Sequence, residues 1–173
     1  MLEVGKNSYI SVADADTYFL GRVDAAAWTS ADNQMKEQSL ITATRMLNEI
    51  IWVGVAASDL QTIAFPRIGS YLEPVLGKVV ELDPVVIPQR MLAATCEQAY
   101  QLLNNDGLLD ETGSISKLKV DVIELEGLDG ESALPPRFST TAENYYYPLT
   151  MDGNAALQRK YTGSGGNAWW RAN

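Results

Sequence analysis

The stretch from Met35 to Arg67 most restricts what this chain can fold into. Leu40, Ala43, Leu47, Ile50 and Ile51 recur at intervals of three and four, the repeat of a helix with one apolar face. Such a face has to be buried, so the stretch reads as a packing device at the centre of the core. Trp52-Val53-Gly54 is expected to end the helix, because glycine readily takes the left-handed conformation that stops one. Ser58-Asp59-Leu60-Gln61 has the form of a capping box and predicts a second, short helix closed by Phe65-Pro66-Arg67. No pair of polar residues in this region points to chemistry.

The absences narrow function further. The sequence has no histidine and one cysteine, Cys96. Disulfide frameworks, Cys/His zinc sites and imidazole-based triads are thereby excluded within one chain. Cys96 falls on the inner face of a helical pattern, where packing is the expected role. Glu49, Glu97 and Asp59 are the nominees for carboxylate catalysis, but each sits where a solvated charge is the ordinary explanation. No enzyme, metal or cofactor is expected. No apolar run approaches the roughly 18 residues of a membrane span, and the first residues lack signal-peptide character, so no membrane partner is expected.

Charge is unevenly placed around the net value of −9. Residues 1–105 carry 12 acids and 7 bases, and residues 106–131 carry 8 acids against Lys117 and Lys119. Residues 132–173 reverse the sign, with Glu143 and Asp152 against Arg137, Arg159, Lys160 and Arg171. An acidic body disfavours tight binding to phosphate backbones, which takes clustered lysine and arginine.

Along the chain, Ser11-Val12-Ala13-Asp14 predicts a helix start, with Val12, Ala15, Tyr18 and Phe19 as its stripe. Asp14 and Asp16 admit a metal-ligand reading, but capping and a solvated face account for both. Thr29-Ser30-Ala31-Asp32 caps the central helix, with Trp28 placed to fold back on it. Residues 68–83 read as a loop holding Gly69, Pro74 and Gly77, with a possible short strand over 78–82. Gly77-Lys78 lacks the remaining spacing of a phosphate loop. Ile87-Pro88 opens a third substantial helix, whose buried stripe is Leu92, Thr95 with Cys96, Ala99, and Leu102 with Leu103.

After Gly113, Leu118, Val120 and Val122 alternate with charged residues as in a strand, and the phase slips before Leu125. This strand lacks a clear mate, and pairing across a subunit boundary is one solution. Tyr145-Tyr146-Tyr147 forms an aromatic anchor, and one or two helical turns are expected over 155–161. Gly163-Ser164-Gly165-Gly166 has linker composition, and the chain finishes with Trp169-Trp170-Arg171 ahead of Ala172-Asn173. Trp and Arg are enriched at interface hot spots, so Trp169, Trp170 and Arg171 read as a docking peptide, the alternative being a tail folded back onto its own domain, with Tyr145, Tyr146 and Tyr147 as further partner contacts. The fold expected is mainly α: a small bundle of three main helices plus a short one, a C-terminal strand or hairpin, and an extended tail. Its divisions would be 1–112 (helical domain), 113–131 (β extension) and 132–173 (arm).

Tyr9-Ile10-Ser11-Val12-Ala13-Asp14-Ala15-Asp16-Thr17-Tyr18-Phe19, Ala27-Trp28, Ala43-Thr44-Arg45-Met46-Leu47, Trp52-Val53-Gly54, Phe65-Pro66-Arg67 and Ile87-Pro88 occur in an order that resembles one family of tailed-phage proteins. These are often labelled DnaT-like single-stranded-DNA-binding proteins and look like head–tail connectors. The resemblance covers roughly residues 8–126, and residues 118–125 are similar to the strand that follows the helices in such connectors. It implies a structural virion protein of the neck, made in the host cytoplasm. It would assemble as a ring, commonly of twelve copies, between the portal protein and the next tail component. The ring would extend the channel for passing genomic DNA without sequence-specific binding. The other implied function is a single-stranded-DNA-binding replication accessory.

Overall fold

The computed structural model describes residues 1–104, 117–120, 123–126 and 138–162. Four helices lie in the first part: α1 (Val12–Leu20), α2 (Ala26–Ser30), α3 (Asn33–Leu47) and α4 (Gln89–Asn104). Between α3 and α4 run β1 (Val55–Ala56), β2 (Arg67–Glu73) and β3 (Lys78–Leu82), a three-stranded antiparallel sheet in the order β1-β2-β3. β4 (Lys117–Val120) and β5 (Ile123–Glu126) form a separate antiparallel pair, and α5 (Thr140–Tyr146), a 3-10 turn and α6 (Met151–Thr162) follow.

The expected helix starts are present. Ser11 Oγ accepts from Asp14 N–H at 3.1 Å, and Asp32 Oδ1 accepts from Met35 N–H at 2.7 Å. Trp28 packs inward, stacked on Phe19 with ring centroids 4.7 Å apart. It lies within its own short helix α2 rather than in a lead-in to α3.

The expectation of a mainly α bundle is overturned: the fold is mixed α/β, with six α-helices beside the three-stranded sheet among the described residues. The difference lies in residues 68–83, where Gly69, Pro74 and Gly77 belong to a paired hairpin rather than a loop. Pro74 to Gly77 is the turn of a regular hairpin in which Glu73 pairs with Lys78 and Gly69 with Leu82. The short helix near Leu60 is absent too. Its capping-box bonds do form, Leu60 N–H to Ser58 Oγ at 3.2 Å and Ser58 N–H to Gln61 Oε1 at 3.1 Å. The turn stops there because the Ala64 N–H is taken by Asn48 Oδ1 at 3.0 Å and by the Tyr9 hydroxyl at 3.1 Å. The central helix also ends early, at Leu47. Residues 51–53 run extended against 149–151, with Val53 N–H on Leu149 O at 3.0 Å and Met151 N–H on Ile51 O at 3.2 Å.

The Met35–Arg67 stretch supplies Leu40, Ala43, Met46, Leu47, Trp52, Val53, Ile63 and Phe65 to the core, and α4 packs beside it. Met91, Ala94, Cys96, Ala99 and Leu102 are buried, and so are the polar Thr95, Glu97 and Gln98. On one side α4 joins a cluster with Phe19, Trp28, Leu40 and Ala43; on the other it joins Trp52, Phe65, Tyr71 and Leu149. Leu92 packs against both. α4 is buried on most sides, its polar residues included, and α3 and α5 pack against it.

Candidate interaction surfaces

The β2–β3 hairpin is tied to α4 through one ion pair. Arg90 Nε donates to Glu73 Oε2 at 2.6 Å, and a second Arg90 nitrogen meets Oε1, so the guanidinium grips the carboxylate with two bonds. Tyr71 Oη also donates to Glu73 Oε2, at 3.0 Å, and Val75 N–H donates to Oε1 at 3.1 Å. Arg90 reaches on to Tyr145 O at 3.4 Å, which brings α5 into the same network. Above the pair lies a groove of about 500 Å³, walled by Tyr71, Val75, Leu76, Val80, Ala93 and Tyr145.

The Arg90 guanidinium holds the Glu73 carboxyl at about 2, well below its ordinary value, against the opposing effect of burial. A depressed carboxylate pKa contributes stability that is complete above the ordinary value and is lost as pH falls toward 2. Glu73→Gln is expected to cost about 2 kcal/mol at neutral pH, and the gap to the native protein should close as pH approaches the folded value. Urea midpoints measured from pH 7 down to 2 check this; a gap that stays constant with pH would refute it.

A second cluster holds the loop after α1 onto α4. Glu97 is 4% exposed, accepts from Tyr18 Oη at 2.7 Å, and is ion-paired with Arg22. The Arg22 guanidinium lies 4.3 Å from the centroid of the Tyr100 ring, and Tyr100 Oη donates to Asp24 Oδ1 at 3.0 Å. Burial, then the bond to Glu97, pushes the Tyr18 hydroxyl up, so it stays a donor across the physiological range. A shallow pocket of about 360 Å³ opens here, bordered by Gly21, Thr141 and Tyr145. Arg22 and Glu97 satisfy each other and Asp24 is met by the Tyr100 hydroxyl, which is the chemistry of a clamp.

The cations are largely engaged. Lys6 pairs with Glu3 at 2.5 Å and Lys36 with Asp16 at 2.8 Å, beside the Arg22 and Arg90 pairs. Arg67 spends its guanidinium on the carbonyls of Val53 at 2.8 Å, Gly54 at 2.6 Å and Ala64 at 3.3 Å. Among the described residues, Arg45, Lys78, Arg159 and Lys160 are exposed without an ion-pair partner, and they lie on three different elements. Burial pushes the Cys96 thiol up, away from the reactive thiolate. Among the described residues no group of three or more Cys, Asp or Glu could hold a metal ion, and no helix is long and apolar enough to cross a membrane.

The three consecutive tyrosines face three ways. Tyr145 is half-buried on the groove wall, and Tyr147 is 39% exposed. Tyr146 is a core residue at 6% exposure, edge-on to Trp52 and Phe138. Leu118, Val120 and Leu125 lie in β4 and β5, where Leu118 pairs with Leu125 and Val120 with Ile123, so the strand finds its mate in its own chain. Val122, Trp169, Trp170 and Arg171 lie outside the described residues. The Glu73–Arg90 and Arg22–Glu97 pairs have no sequence motif; the one signal was an acid, Glu97, beside the apolar stripe of its helix.

A family model described as "Putative DnaT-like ssDNA binding protein" matches residues 2–161. The chain belongs to this family. The DnaT-like match takes in both charged clusters and the groove, and stops short of the Trp169-Trp170-Arg171 tail. No curated protein and no solved structure matches the chain.

Proposed function

We propose that this protein is a non-enzymatic binding protein that associates with single-stranded DNA. The family match over residues 2–161 carries this reading. Among the described residues, Arg45, Lys78, Arg159 and Lys160 are available for phosphates and Tyr147 for stacking on a base. With 22 acids against 13 bases and Lys6, Arg22, Lys36 and Arg90 held in ion pairs, binding would be weak and salt-sensitive. Fluorescence anisotropy with a labelled oligonucleotide tests it across a salt series. Affinity should fall with salt with a log–log slope of about −0.7 per phosphate neutralised, about −3 if the four described cations are all engaged. No binding at the lowest salt would overturn the reading.

One observation favours a second reading: a protein with 22 acids against 13 bases is suited to let DNA pass without holding it. On this reading the chain is a tailed-phage neck component made in the host cytoplasm. Twelve copies would form a ring under the portal, extend the DNA channel and carry the next tail protein. Failure to bind the oligonucleotide, together with ring-shaped particles on mixing with the portal, would select this reading over the first.

A further inference from the structure

In the β2–β3 hairpin Lys78 pairs with Glu73 and Val80 pairs with Tyr71, so these four side chains share one face of the sheet. Tyr71, Glu73 and Val80 line the groove of about 500 Å³ on that face, and the exposed Lys78 therefore stands beside it. Tyr145 of α5, half-buried, adds a second aromatic wall. Arg90 and Glu73 cancel each other's charge within the groove. The exposed amides of Gln89 and Asn144 also line it, and each can both donate to and accept from a polar edge. Aromatic and apolar walls with a few polar groups are the make-up of a site for a flat, partly polar ligand.

Asn144 also lines a second hollow, a cleft of about 340 Å³ whose walls include Tyr147, Glu143 and Leu157. Groove and cleft therefore adjoin, each with a tyrosine in its wall. Tyr145 and Tyr147 are two residues apart, so their Cα atoms are separated by at most about 7 Å. That is about two steps of a stacked strand, at roughly 3.4 Å per step. Lys160 follows Leu157 by three residues in α6, which places it on the same helix face, and it is exposed. A cation thus stands by each hollow, Lys78 by the groove and Lys160 by the cleft.

We infer that groove and cleft form one track for single-stranded DNA, with one base against Tyr145, another one or two steps on against Tyr147, and the phosphates along Lys78 and Lys160. The inference rests on the single-stranded-DNA reading above and gives it a place on the molecule. Aromatic faces accept any base, so the track tolerates sequence. A duplex does not fit it, because paired bases are stacked on one another. Glu143, exposed on the cleft wall, opposes the phosphates and holds the affinity down.

Photocrosslinking of the full chain to a thymidine oligonucleotide carrying 5-bromodeoxyuridine, mapped by peptide mass spectrometry, reads the seats directly. Adducts should fall on Tyr145 and Tyr147. Anisotropy with the same oligonucleotide separates stacking from charge. Tyr147→Ala, at a 39% exposed position, should weaken binding about tenfold and leave the salt slope unchanged. Lys78→Gln should make the slope shallower by about 0.7, and Glu143→Gln should tighten binding. All three variants change exposed side chains and should keep the native urea midpoint to within a few tenths of a molar unit. Native affinity in Tyr147→Ala and Lys78→Gln, with adducts outside the two hollows, would overturn the track and leave the DNA reading standing. No binding by the native protein at the lowest salt would overturn both.

Discussion

Gly54→Ala is expected to destabilise the protein by about 3–5 kcal/mol, the sum of left-handed strain and an overpacking clash. Gly54 has φ +71, and a Cβ there would stand 2.2 Å from Ile68 O and 3.1 Å from the Cα of Gly69. The reverse change meets the same wall, since a Cβ on Gly69 would lie 2.8 Å from the Cα of Gly54. Neither backbone can yield. Val55 is paired with Ile68, and Arg67 clamps the carbonyls of Val53, Gly54 and Ala64 on the far side of the crossing. Gly77 is the control. It also has positive φ, +61, but a Cβ there meets nothing within 4 Å. Gly77→Ala should therefore cost only the conformational strain, about 1–2 kcal/mol. Urea unfolding of the three alanine variants checks this. A Gly54→Ala protein as stable as Gly77→Ala would mean that the crossing relaxes, and the close approach would lose its structural weight.

What the sequence could announce was local. Ser11 and Asp32 cap their helices within three residues, so their motifs carry the full geometry. Where the deciding contact is distant, the same kind of motif misled. Ser58 and Gln61 form their capping bonds, yet Tyr9 and Asn48 capture the Ala64 N–H and divert the chain. Gly54 takes the left-handed conformation expected of a helix stop, but it serves a strand crossing instead, seven residues after the helix has ended. The glycines and proline of the β2–β3 hairpin looked like loop residues because hairpin turns use the same chemistry. The candidate site was the least legible part. Glu73 and Arg90 are 17 positions apart and Arg22 and Glu97 are 75 apart, so no helical or strand spacing links either pair.

Arg22→Met is expected to cost about 3–5 kcal/mol, because it leaves a carboxylate buried without its counter-charge. Glu97 has 5% of its side chain exposed and Arg22 27%, so water can reach the arginine far more readily than the acid. The two single changes should therefore differ. With Arg22 gone, Glu97 keeps only the Tyr18 hydroxyl at 2.7 Å among the partners described here. With Glu97→Met, Arg22 keeps its stacking over Tyr100 at 4.3 Å and an open path to solvent, so the loss should be smaller. Replacing both by methionine removes the buried charge along with its partner, and that variant should be more stable than Arg22→Met alone. A double-mutant cycle by urea unfolding measures the coupling. If Arg22→Met were no worse than the double replacement, Glu97 would have to be hydrated in the native protein. The clamp would then contribute little to holding the loop after α1 against α4, and the pocket between Tyr18 and Tyr145 would be open enough for water to enter.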